Sequence, residues 1–224
     1  MNMQTIRVEV GLSTPLALGR THFTLDAVLF GILSDLAERG ESVVDPIADI
    51  PLRSEEGLFF ATAAHFSNAL EMSETKIGGI RPVQDMADAA RFLQPKGKTL
   101  AKIITTRGDT KAHLSRMRSI ACSSVVWEAV GDPDKVEALL RRTPNIGALR
   151  KDGHGEVAFV EVTPADSERE EDVLIRNGQP RRPIPVSSSY RLNVPTVVET
   201  WRPAYWDPAN AAECYGLQAS AQLG

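Results

Sequence analysis

The feature that most constrains this chain is an order of hydrophobic periods: period 2, then 3.6, then 2, followed after a polar interval by 2, 3.6 and 2 again. Thr5–Gly11 (TIRVEVG) alternates Ile6, Val8 and Val10 with Arg7 and Glu9, the signature of a strand with one buried face. Leu25, Leu29, Ile32, Leu33 and Leu36 then recur at helical spacing until Gly40 stops them. Thr24 stands where an N-cap belongs, and Asp26 lies near the positive end of the helix dipole. Gly57–Phe66 (GLFFATAAHF) reads as a second strand and Ser119–Val130, rich in β-branched residues, as a third. Asp132 and Pro133 supply a cap and a first helical residue for a second helix reaching toward Pro144. Glu156–Pro164 (EVAFVEVTP) closes the series as a strand, with Val157 and Phe159 on one face and Ala158, Val160 and Val162 on the other.

The order β, α, β, β, α, β predicts an α+β fold of the ferredoxin-like (RRM-like) kind. Such a fold has a four-stranded antiparallel sheet with both helices on one face, leaving the other face free for single-stranded RNA. The expected domain spans residues 1–163. Residues 164–224 form a C-terminal extension that packs on the domain or on a neighbouring subunit. Within that extension Trp201, Tyr205, Trp206 and Tyr215 are concentrated. Such aromatics stack on bases or, more often, close a core or dock on a neighbour.

Net charge is −4 and the pI about 5.6, which argues against a phosphate-binding partner until the distribution is considered. Residues 74–118 hold ten basic side chains against four acids, a net +6 that leaves −10 elsewhere. This basic insertion, with a short helical pattern over Val83–Phe92 and a hairpin or loop pattern from Leu100, reads as a surface for nucleic-acid phosphate or as a solvated mixed-charge surface.

The most informative stretch is Gly147–Val157 (GALRKDGHGEV), between the second helix and the last strand. Glycines let a backbone approach a phosphate closely, and Arg150 and Lys151 add charge at the same place. Catalytic signatures are lacking: the chain has no HExxH, no Walker-type loop and no GxSxG elbow. Cys122 and Cys214 suggest neither a disulfide framework nor a metal site, and no apolar run approaches the roughly 18 residues of a membrane span. A cytoplasmic protein without cofactor or metal is the expectation.

The loop GALRKDGHGEV resembles the glycine-rich loop that precedes the final strand in the RAMP superfamily of CRISPR proteins. The opening PLALGRTHFTLDAVLFGIL is similar to the start of the same proteins. With the basic insertion and the tail ETWRPAYWDP, the chain most resembles the Cas-five-like third subunit of type IV CRISPR effector complexes.

The resemblance implies a non-catalytic subunit that grips the 5′ handle of the guide RNA and caps a backbone of other RAMP subunits for target DNA recognition. A DinG-type helicase recruited to the complex is a further implied partner. By the same resemblance Gly147, Arg150, Lys151, Gly153, His154 and Gly155 contact RNA or support a contact. Lys96, Lys98, Lys102, Arg107, Lys111 and Arg116 of the insertion follow the handle or reach the target duplex. Some RAMP proteins cleave guide precursors without metal through a histidine base. His22, just before the first helix, is the candidate for that alternative, a metal-independent endoribonuclease.

Overall fold

Alternation decides the central sheet. In β1 (Gln4–Leu12), Ile6, Val8 and Val10 are fully buried while Arg7 and Glu9 are not. The computed structural model, which describes residues 2–19, 22–78, 113–165 and 169–217, continues with α1 (Leu25–Glu38), β2 (His65–Ser67), β3 (Leu70–Gly78) and β4 (His113–Ala121). Then come β5 (Ser124–Gly131), α2 (Pro133–Leu140) and β6 (Val157–Pro164). The sheet order is β2-β5-β1-β6 and every adjacent pair is antiparallel. Val125, Trp127 and Ala129 of β5 and Val160 of β6 join the buried side of β1. Onto that side pack Leu25, Leu29, Ile32, Leu33 and Leu36 of α1 and Val136 and Leu140 of α2. Each such side chain contributes about 1.5–3 kcal/mol on burial, so this one core sets the architecture as α+β.

The stretch 57–66 is not one strand. Leu58 and Phe59 pair with Ser54 and Glu55 in a tight hairpin, Ala61 makes one isolated bridge to Ala129 of β5, and only His65–Ser67 joins the main sheet as a strand. The reason lies in the destinations of its donors. Phe60 N–H goes to the carbonyl of Arg53, Thr62 to Glu128, Ala63 to Arg181 and Ala64 to Phe23, so no single neighbour supplies a ladder. The expected strand over 119–130 is likewise split at Cys122–Ser123, where Ser123 donates to the Ser67 carbonyl and accepts from the Leu12 N–H.

A second core forms around Leu58, Phe60, Val130, Val173, Leu174, Ile184 and Tyr215. Because Val130 alternates with Ala129, it lies on the sheet face turned away from the helices, so that face is not left wholly free. The C-terminal segment contributes a small antiparallel sheet of β7 (Ile184–Pro185), β8 (Thr196–Thr200) and β9 (Ala211–Tyr215), ordered β7-β9-β8.

Chain contacts divide the protein into two units, one of residues 1–71 and 120–224 and a second of residues 72–119. In the second, β3 and β4 are neighbours in a sheet. The helical pattern over 83–92 and the hairpin or loop pattern from Leu100 lie largely or wholly outside the described residues. No helix among the described residues is long and apolar enough to cross a membrane.

Candidate nucleic-acid interface

The loop between α2 and β6 is closed at its base by Asn145 and Glu156, which form an antiparallel bridge, and by Ile146 N–H donating to the Gly155 carbonyl at 2.8 Å. Four residues have left-handed backbone: Gly147 (φ +84°), Leu149 (φ +52°), Gly153 (φ +85°) and Gly155 (φ +64°). Two of the glycines are also sterically required. A Cβ on Gly155 would lie 2.0 Å from the Ile146 oxygen, and one on Gly147 would lie 2.8 Å from the Ala17 oxygen. Residues Arg150–Asp152 make a single tight turn at the loop's tip.

Some of the donors of this loop are spent on the fold. Ala148 N–H donates to Ala17, Gly155 N–H to Pro15 at 2.9 Å, and Gly153 N–H to Arg150 at 3.2 Å. Arg150 forks onto Asp35 of α1 at 2.5 and 3.3 Å, while Lys151 is exposed and has no ion pair among the described residues. The carbonyl of His154 accepts from Asn145 Nδ2 at 3.0 Å. The structure thus brings Gly147, Arg150, Lys151, Gly153, His154 and Gly155 into one rigid turn. Arg116 is exposed on β4, and Lys96, Lys98, Lys102, Arg107 and Lys111 lie outside the described residues.

Between this loop and α1 lies a cleft of about 240 Å³ walled by Leu18, Phe23, Val28, Ile32 and Ile146, with His22, Asn145, Arg150 and Tyr205 as its polar lining. Nε2 of His22 stands 3.0 Å from Oε1 of Glu199 on β8. No group of three or more His, Cys, Asp or Glu capable of holding a metal occurs among the described residues.

Sequence reasoning missed the most heavily bonded cation among the described residues. Arg182, fully buried, donates Nη1 to Asp26 Oδ1 (3.1 Å) and to the Phe59 carbonyl (2.6 Å). Its Nη2 donates to the Trp201 carbonyl (2.7 Å) and the Tyr205 hydroxyl (3.0 Å). The Tyr205 hydroxyl in turn donates to Asp26. Burial works hardest on Arg182, against its charge, but the Asp26 carboxylate and Tyr205 outweigh it and keep the guanidinium protonated. Burial, then the Asp26 charge, raises the Tyr205 pKa and keeps its phenol protonated as a donor.

Thr24 also has a different role from the expected one. Its hydroxyl makes no capping bond and meets Tyr205 at 3.1 Å instead. Asp132, by contrast, does cap α2, accepting from Lys135 N–H at 3.3 Å. The available clue to the Arg182 site was composition: Asp26 in an apolar helix face and an arginine pair, Arg181-Arg182, flanked by prolines.

A family model described as CRISPR type IV associated protein Csf3 matches residues 4–216, from the first residue of β1 to just past β9. The chain belongs to that family. No curated protein matches it significantly. The match to the Csf3 family takes in the glycine-rich loop, the Arg182 site and both cores within one continuous span. It also covers most of the C-terminal extension, residues 164–216, so that segment is part of the family's common chain.

Proposed function

We propose that this Csf3-family protein is a non-catalytic RNA-binding subunit of a type IV CRISPR effector complex, and that it grips the repeat-derived 5′ handle of the guide RNA. The observation that carries the reading is the rigid turn at residues 147–155, which holds Arg150 and the unpaired Lys151 beside an apolar cleft. Four of its backbone N–H groups donate to carbonyls and hold the loop's shape, and its two cations supply attraction. The strand order β2-β5-β1-β6 with two helices on one face supports a ferredoxin-like RAMP fold for the first unit. In this reading the basic insertion follows the RNA or reaches target duplex, and neighbouring RAMP subunits continue from the protein.

The protein positions RNA without cutting it. The alternative would rest on His22, whose Nε2 stands 3.0 Å from the Glu199 carboxylate. The test is to isolate the intact complex from its host, cross-link, and sequence the RNA attached to this chain. Enrichment of repeat-derived sequence is expected, and labelled precursor incubated with the protein in EDTA should stay whole. Bulk cellular RNA in the cross-links would overturn the binding assignment. Cleavage lost on His22→Ala would replace it with the endoribonuclease.

A further inference from the structure

We infer that the uncovered end of the sheet face opposite the helices is a docking surface for an arginine-bearing segment of a protein partner. The second core covers this face at Val130, and Arg176 and Arg181 close over Glu128 with contacts of 2.8 and 2.7 Å. Farther along the same face, Phe159 and Glu161 of β6 are exposed. There Phe159 of β6 lies across Gly11 of β1, its direct partner in the ladder. A Cβ on Gly11 would stand 2.0, 2.3 and 2.7 Å from three consecutive atoms of one ring edge, so only glycine lets the ring lie down on the sheet. Ring packing of this kind restores part of what a strand glycine lacks. It does not shield the outer surface, and Phe159 remains 48% exposed.

Two residues along the same face, Glu9 and Glu161 stand directly opposite each other. Facing like charges weaken a strand pair. Arg7 answers Glu9 at 2.8 Å, but Glu161 is exposed and has no ion pair among the described residues. An edge strand is protected by any charge, so solubility alone accounts for Glu161. It does not account for a bare aromatic ring beside a carboxylate that has no ion pair among the described residues.

That combination matches a guanidinium, which stacks on an aromatic face and forks onto carboxylates in one geometry. It repels phosphate, so RNA, the usual occupant of such a face, is disfavoured here. The surface is distinct from the glycine-rich loop, and the RNA-binding reading can fail without touching it.

The test uses the assembled complex with Phe159 replaced by the photo-cross-linker benzoylphenylalanine, alongside Glu161→Lys and Phe159→Ala variants. The expected product joins position 159 to an arginine- or lysine-bearing segment of a protein subunit. Glu161→Lys should weaken retention of that subunit about tenfold or more, with the thermal midpoint of the isolated chain not lowered, since the change also removes the like-charge pair with Glu9. Reversing the partner's charge should restore it. A cross-link to RNA, no cross-link, or undiminished retention in Glu161→Lys would each overturn the proposal. Glu161 is exposed, so the test stands even where Phe159→Ala folds poorly.

Discussion

Arg182 and Arg150 both pair with an aspartate of the same helix, and the two pairs do different work. Arg182 and Asp26 have no exposed side-chain surface, whereas Arg150 and Asp35 are 37% and 34% exposed. Asp26 lies in the first turn of α1, where the helix dipole favours an anion, and Asp35 lies in its C-terminal part, where it does not. The inner pair therefore joins helix, hairpin and C-terminal segment through carbonyls of Phe59 and Trp201. The outer pair steers a loop that water still reaches. Burial, and not the identity of the ions, separates a structural cation from one that can meet a ligand.

The strongest way to break this comparison is Arg182→Met. It leaves Asp26 buried and uncompensated, and loss of one partner of a buried pair costs about 3–5 kcal/mol. Chemical denaturation of the full chain should show that loss. Replacing Asp26 as well, in an Asp26→Leu/Arg182→Met double variant, should cost less than the sum of the single changes, because no lone charge remains. Additive losses would mean the two residues do not act as a pair.

Next in size is Tyr205→Phe. The hydroxyl bridges Thr24, Asp26 and Arg182, and its removal leaves buried groups short of a partner at a cost of about 1–3 kcal/mol. The same measurement checks it. A change below 0.5 kcal/mol, the scale of an ordinary surface substitution, would remove Tyr205 from the inner network.

The period of the apolar residues made much of the first core legible. Ile6, Val8 and Val10, and the α1 stripe from Leu25 to Leu36, are buried as their spacing requires. The Gly147–Gly155 loop was legible because left-handed backbone needs glycine at close quarters. The second core was not, since Leu58, Val130, Val173 and Tyr215 meet from four separated segments and share no period. Nor was the Arg182 network, because a buried ion pair spanning 156 residues leaves no local trace. Thr24 illustrates the limit: its position fits a cap, but a tertiary partner, Tyr205, takes the hydroxyl.

Outside the core, Arg150→Ala should cost only about 0–1 kcal/mol, as exposed pairs do, yet weaken binding to repeat-derived RNA by releasing Asp35 beside the loop. Fluorescence anisotropy against thermal unfolding separates the two effects. A stability loss as large as that of Arg182→Met would make both arginines structural and erase the distinction between them.

Lys151→Ala is the smallest change and the sharpest probe. Lys151 is exposed at the tip of the tight turn and holds no ion pair among the described residues, so folding gives it nothing to lose. Its removal should shift stability by no more than about 0.5 kcal/mol. If Lys151 meets an RNA phosphate, each such contact releases counterions, and the slope of log K against log salt should flatten by about 0.7 for a single strand. Arg150→Ala changes shape and charge together, because Arg150 also anchors the turn to α1. Lys151→Ala changes charge alone. An unchanged salt slope with intact affinity would show that the turn presents no working cation, and the contrast between an inner structural arginine and an outer binding surface would then rest on burial without function.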